Sequence, residues 1–182
     1  MSADMIKFLS LVGQLKRTKR SGWVLRGVNE PESVSDHMYR MAVMAMVCKD
    51  ASSSLDRNRC IKLCLVHDMA ECIVGDITPQ DNIPKEEKHR KEKAAMSHMC
   101  SLIDVNMGQE LIELFEEYEA QSSPEARYVK DLDRFDMILQ AQHYEDEESN
   151  PGRLQEFFDS VEGKIQDKEI VRLADELTSN RK

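Results

Sequence analysis

"CLVHDMAECIVGDI", residues 64–77, is an apolar run that nonetheless carries His67, Asp68, Glu71 and Asp76. Between Ile61 and Val74 only Lys62, His67, Asp68 and Glu71 break the apolar pattern. A helix this apolar on most sides is buried on most sides. The spacing predicts such a helix from about residue 55 to residue 74, ended by Gly75 in a left-handed cap. Burying two carboxylates without partners costs on the order of several kcal/mol each, more than a neutral imidazole offsets. A cationic partner is therefore required. A divalent metal fits, because imidazole nitrogen and carboxylate oxygen both ligate first-row transition metals. His67 and Asp68 reach one ion from neighbouring sides of the helix, and Glu71 lies one turn along the same face, where it either ligates or holds a metal-bound water.

Composition supports a helical setting. A chain of 182 residues, 41% of them hydrophobic, fits one domain with a real core. Only seven glycines and five prolines are present and Val and Thr never alternate, so the expected fold is all-α. A formal charge of −9 opposes attraction to nucleic-acid phosphates and argues against a polymer of that kind as partner. An anionic ligand would need local positive charge, from a metal or a few arginines. The five cysteines form no Cys-x-x-Cys pair and sit mostly in apolar stretches, the pattern of reduced thiols in an intracellular, cytoplasmic protein. Asp4, Ser10 and Gly13 interrupt the N-terminal stretch, which argues against a cleaved signal. No run approaches the ~20 apolar residues of a membrane span.

Along the chain, residues 4–17 carry apolar residues at helical spacing and predict an amphipathic first helix packing onto the body, followed by a Gly- and Pro-containing loop. Ser33 with Asp36 caps a helix running to about Cys48, and "KDASSSLDRNR" is a turn. Pro84 opens a charged helix to about Ile103, with Glu86–Arg90 and Glu87–Lys91 at supporting spacing. Further helices are expected over about 108–120, then from a Ser123 cap and Pro124 to about Glu147, then over 153–178.

Two ligands make a weak metal site, so other elements must add donors. His37 follows a helix start and shares a stripe with Met41, Met44 and Cys48. Alone it reads as a core histidine, but the buried His-Asp pair shifts that balance. In "YVKDLDRFDM" Asp131, Asp133 and Asp136 compete: Asp133 shares an arc with Val129, whereas Asp131 falls between basic neighbours and reads as solvated. The basic residues Lys85, Lys88, Arg90, Lys91 and Lys93 interleave with Glu86, Glu87 and Glu92 and read as a solvated helix face rather than a phosphate site. Met38, Met41, Met44 and Met46 read as core filler or a subunit contact, and Trp23 alone as a hydrophobic anchor.

His37, then His67-Asp68, then an aspartate on a late helix resembles the H…HD…D signature of the HD-domain metal-dependent phosphohydrolases. "HDMAECIVGD" further resembles the H-D-x-x-E-x-x-x-G-D pattern of their YfbR-like 5′-deoxynucleotidase subgroup, as do "RSGWVLRGV", "PESVSDHMYRMA", "DNIPKEEKHR" and "YVKDLDRFDMILQA". The resemblance spans essentially the whole chain. It implies one HD-domain helical bundle over residues 1–182, with a metal-site core at about 33–140 and closing helices at 150–180. It makes His37, His67, Asp68 and Asp133 ligands of a divalent cation such as Mn²⁺, Co²⁺ or Mg²⁺. Glu71 and Asp76 would orient and deprotonate the attacking water and help hold a second ion. The substrate clamp maps onto Arg20 and Trp23, although Ser21 and Gly22 separate them here, so Arg17 and Arg26 also compete for the arginine role. The implied substrate is a deoxynucleoside 5′-monophosphate, with Trp23 against the sugar disfavouring a 2′-hydroxyl. The implied assembly is a homodimer.

Two other functions compete. A dinuclear phosphodiesterase or oxygenase of the HD type would need further histidines between His67-Asp68 and the last aspartate, where only His89 and His98 stand, in polar surroundings. A silent nucleotide-binding scaffold would not require both Glu71 and Asp76.

Overall fold

The computed structural model describes residues 2–49 and 54–181. Every regular element among them is helical, the only β-type pairing being an isolated bridge between Lys19 and Ser33. The fold is all-α, as the low Gly and Pro content implied. The chain forms two compact units, Met1–Tyr39 with Leu65–Glu119, and Arg40–Cys64 with Ala120–Lys182. Part of the expected turn before residue 59, residues 50–53, lies outside the described residues.

The first unit contains α1 (Ser2–Val12), α2 (Ser21–Leu25), the start of α3 (Val34–Val47), the end of α4 (Arg57–Val66), α5 (Glu71–Val74), α6 (Lys85–Cys100) and most of α7 (Val105–Ala120). α1 packs on α5 and α6, and α5 on α6. The buried residues include Leu15, Trp23, Val34, Met38, Met96, Met99 and Phe115. α3 starts as its sequence predicts. The Ser33 N–H donates to Asp36 Oδ2 at 2.8 Å and the Asp36 N–H returns to Ser33 Oγ at 3.2 Å, so two orphan donors of the first turn are satisfied.

The second unit is organised on α8 (Pro124–Glu147), against which α9 (Gln155–Val161) and α10 (Lys168–Asn180) pack. Ser123 caps α8, its Oγ accepting the Ala126 N–H at 3.0 Å, with Pro124 in the first turn where a missing N–H costs nothing. Met41, Met44, Leu63, Leu132, Ile138, Leu154, Phe158 and Ile170 are buried in this unit. Of the four methionines on α3, Met38, Met41 and Met44 are core and Met46 is exposed.

Several expectations need correction. The first helix ends at Val12 and continues as a 3₁₀ turn, Gly13–Lys16; no residue of α1 is buried, and Leu15 in that turn reaches the core. α6 starts after Pro84 and stops at Cys100. α7 begins at Val105 because Asp104 Oδ1 accepts the Asn106 N–H at 2.9 Å, a cap the sequence reading overlooked. Arg90 pairs with Glu87, one turn back, rather than with Glu86. Asp131 is buried, not solvated. Its Oδ2 accepts the N–H groups of Gln166 and Asp167 at 2.9 and 2.8 Å, and Arg134 approaches Oδ1 at 2.9 Å. Its neighbours are basic because one of them neutralises it.

Near the C-terminal end, Arg181 forms two parallel hydrogen bonds of 2.7 Å to the buried Glu145 and lies 3.8 Å over the Phe158 ring. Burial opposes ionisation of Glu145, but the Arg181 guanidinium and the Leu154 N–H outweigh it and hold the carboxyl below its usual range. A depressed carboxylate contributes stability above the unfolded pKa and loses it as pH falls through the folded one. Arg181→Ala should therefore destabilise at pH 7 by about 2 kcal/mol, roughly 4–8 °C in a chain of this size. Thermal melts should show the gap to wild type closing as pH drops below about 4.

Candidate metal centre

The expected continuous helix over 55–74 is two helices joined by a turn at residues 67–70, where the signature pair sits. The Met69 N–H bonds to the Val66 carbonyl at 3.0 Å and the Glu71 N–H to the Asp68 carbonyl at 3.1 Å, three residues back rather than four. Consecutive side chains of a regular α-helix diverge by about 100°. In the tightened turn His67 Nε2 lies 3.2 Å from Asp68 Oδ2, so both residues face the same point. His37, fully buried on the first turn of α3, brings Nε2 to 3.8 Å from the same oxygen. The two imidazoles meet edge to face, centroids 5.5 Å apart, and Tyr118 backs the His67 ring at 4.8 Å.

Arg20, at the start of α2, places Nη1 3.4 Å from Asp68 Oδ2. The alternatives turn elsewhere: Arg17 donates to Gln14 at 2.6 Å, and Arg26 faces the Gln80 side-chain amide. Glu71 opens α5 and is buried, with no hydrogen-bond partner for Oε2. Asp76 follows Gly75, whose φ of 76° and ψ of 170° make it a positive-φ cap, but not the left-handed one expected. Asp76 is tied to α2 twice, accepting the Ser21 N–H on Oδ2 at 2.6 Å and the Ser21 hydroxyl on its carbonyl at 2.8 Å. Ser21, one of the two residues separating Arg20 from Trp23, thus fixes the loop that carries Asp76. A cavity of about 530 Å³ opens beside this loop, lined by Thr18, Ser21, Gly75, Asp76, Ile77 and Lys91, among others.

Electrostatics separates the partly accessible Asp68 from the buried Glu71. Burial favours the neutral form of Asp68, but His67, Arg20 and His37 outweigh it and hold its carboxyl far below the usual range. Burial, then the charges of Asp68 and Asp76, push Glu71 well above its usual range. Two imidazole nitrogens and a carboxylate oxygen converging beside a partnerless buried carboxylate oxygen are a donor set that fits a divalent cation.

Trp23 is 1% exposed and its indole N–H donates to Glu32 at 3.0 Å, so in this conformation the ring is a core residue. Asp133, in the second unit, is partly buried and accepts from Lys130 at 2.8 Å. Asp136 is fully buried and paired with Arg40. His89 approaches Glu119 at 3.2 Å and His98 is exposed. The residue that sequence reasoning missed is Lys88, assigned to a solvated face. Its Nζ donates to the Ile77 carbonyl at 3.1 Å and lies 3.5 Å from the buried Glu92. The i,i+4 spacing to Glu92 was the available signal.

A Cβ added at Gly75 would meet no atom within 4 Å, so only the backbone conformation demands glycine there. Gly75→Ala should cost on the order of 1–3 kcal/mol by melting, the range for a strained backbone position. A substitution that leaves stability unchanged would show that the loop relaxes freely.

The HD domain family model matches residues 12–173. The 5′-deoxynucleotidase HDDC2 of Mus musculus is 62% identical over 98% of this chain and 89% of its own length. Its Homo sapiens counterpart is 62% identical over 98% of this chain and 86% of its own. Among solved structures, the PH0347 protein of Pyrococcus horikoshii OT3 superposes with a TM-score of 0.75 at 33% identity, covering 96% of both chains. A turn built on adjacent His67 and Asp68, a family match over most of the length and relatives of this identity lead to one assignment: the chain belongs to the HD domain family.

Proposed function

We propose that the chain is a metal-dependent 5′-deoxynucleotidase, a phosphoric monoester hydrolase that converts deoxyribonucleoside 5′-monophosphates to deoxynucleoside and phosphate. The observation that carries this reading is the convergence of His37, His67 and Asp68 beside Glu71, whose buried Oε2 has no hydrogen-bond partner, in a chain 62% identical to proteins named 5′-deoxynucleotidase. His37, His67 and Asp68 would hold a divalent cation together with Asp133, the last taken from the HD signature. Glu71 and Asp76 are the groups for a second, weaker ion. Family membership supports the cation; Mn²⁺, Co²⁺ and Mg²⁺ are the candidates to test.

A phosphate monoester carries nearly two negative charges at neutral pH and repels an oxygen nucleophile. When bound, a divalent cation supplies compensating charge at the phosphate and lowers the proton affinity of water. Arg20, reaching Asp68 from α2, adds a second positive charge on the substrate side. Glu71 presents a carboxylate oxygen that no protein group occupies, and Asp76 one that Ser21 orients; either can take the proton of the attacking water. The relatives' names support the deoxy preference, whereas the burial of Trp23 leaves its contact with the sugar resting on the resemblance alone.

We treat residues 1–182 as one HD domain, which the family match over residues 12–173 supports. No disulfide joins the five cysteines, and no described helix is long and apolar enough to cross a membrane. The proposed setting is cytoplasmic. The proposed assembly is a homodimer, with exposed Met5, Ile6 and Leu9 of α1 compatible with a subunit contact.

Metal-stripped protein resupplied with Mn²⁺, Co²⁺ or Mg²⁺ should release phosphate from dAMP at least about tenfold faster than from AMP at equal concentration, a difference of about 1.4 kcal/mol. Asp68→Ala should lose more than about 100-fold of that activity. Turnover that ignores added metal, or that favours AMP, would contradict the proposal.

A further inference from the structure

The α6 segment "PKEEKHRKEK" carries five basic residues, of which Lys91 lines the cavity beside Asp76. Lys85 is exposed. Arg90 is bound to Glu87 by two hydrogen bonds of 2.7 Å, and Lys93 to Glu116 at 2.7 Å. These are solvated surface pairs. Lys88 differs. Its ammonium is anchored between a loop carbonyl, Ile77 at 3.1 Å, and the buried carboxylate of Glu92 at 3.5 Å, while 37% of its side chain stays accessible.

Ile77 directly follows Asp76, so this anchor holds Lys88 beside the loop of the candidate metal centre. Burial weakens the positive form of Lys88, but Glu92, Glu71, Asp68 and Asp76 together raise its proton affinity, and it is charged at neutral pH. The same field acts in reverse on Glu71, which Arg20 and Lys88 both stabilise as the anion. A lysine ammonium has three donors, and Ile77 and Glu92 take two of them. The third belongs to an anchored, partly accessible cation at the edge of an acidic cluster. A chain of net charge −9 needs such a cation to admit an anionic ligand.

We propose that Lys88 binds the phosphate group of the substrate, its ammonium anchored by the Ile77 carbonyl and Glu92 and its remaining donor directed to a phosphate oxygen. The inference rests on the phosphomonoesterase reading for the identity of the anion. Lys88, on α6, is then a second substrate-side cation alongside Arg20, which immediately precedes α2. Anchoring by a buried carboxylate lowers the entropy lost when the lysine engages a ligand.

The test measures binding of inorganic phosphate to the metal-loaded protein by calorimetry, alongside the KM and kcat for dAMP. Lys88→Gln should weaken phosphate binding and raise KM by about 10- to 100-fold, the range for one charge-assisted hydrogen bond. Lys88→Arg should recover most of the affinity, and Lys85→Gln should stay within about twofold of wild type. Lys88→Met, which keeps the apolar stem, replaces Lys88→Gln if the latter does not fold. Equal phosphate affinity in wild type and the charge-removing variant would overturn the proposal, even with reduced kcat, because Lys88 would then only position the Asp76 loop. Wild-type protein that binds no phosphate would overturn it as well. Wild type that binds phosphate through Lys88 but hydrolyses no deoxynucleotide would overturn the nucleotidase reading alone.

Discussion

One carboxylate oxygen organises the site. Asp68 Oδ2 faces His67 Nε2 at 3.2 Å, Arg20 at 3.4 Å and His37 Nε2 at 3.8 Å, and Glu71 is buried one turn further on. Such a concentration of ionisable groups inside an apolar unit is stable only if opposite charges meet. The surrounding structure serves that requirement. A 3₁₀-like turn between α4 and α5 aims His67 and Asp68 together, and the capping box at Ser33 fixes the first turn of α3 that carries His37. Positive φ at Gly75 lets the chain leave α5 towards Asp76, which Ser21 then clamps.

Much of this was legible in the sequence because the relevant signals are local. Ser33 with Asp36 and Ser123 with Pro124 mark helix starts by hydrogen bonds spanning one turn, and both appear as expected. The polar residues inside the apolar 61–74 segment announced a cationic partner, since burial without one is too costly. The break at 67–70 was hidden because periodicity sees only that apolar residues continue across it. The turn is selected by what His67 and Asp68 must jointly face, a tertiary demand that overrides the local pattern. Tertiary pairing also explains Asp131 and Lys88. Each lies among charges that suggest solvent, yet one is buried under the N–H groups of Gln166 and Asp167 and the other is drawn inward by Glu92 and Ile77. For Trp23, elementary packing of a lone tryptophan points to the core, where the ring lies, and the sugar contact rests on the resemblance.

The functional account joins two kinds of support. Family membership and relatives named 5′-deoxynucleotidase give the reaction class, and the tasks proposed for the residues are consistent with it. In the proposed mechanism His37, His67 and Asp68 would hold the cation, Glu71 and Asp76 would accept the proton, and Arg20 and the proposed Lys88 would face the anionic substrate. The acids that make the chain strongly negative are thus matched locally by a few placed cations.

The most direct test of the central claim, that the buried acids and histidines are built around a divalent cation, is a calorimetric titration of metal-free protein with Mn²⁺. The account predicts saturable binding of at least one ion per chain, weakened by at least about 100-fold in His67→Ala relative to wild type. Binding of equal affinity in wild type and His67→Ala, or no saturable binding in either, would contradict it.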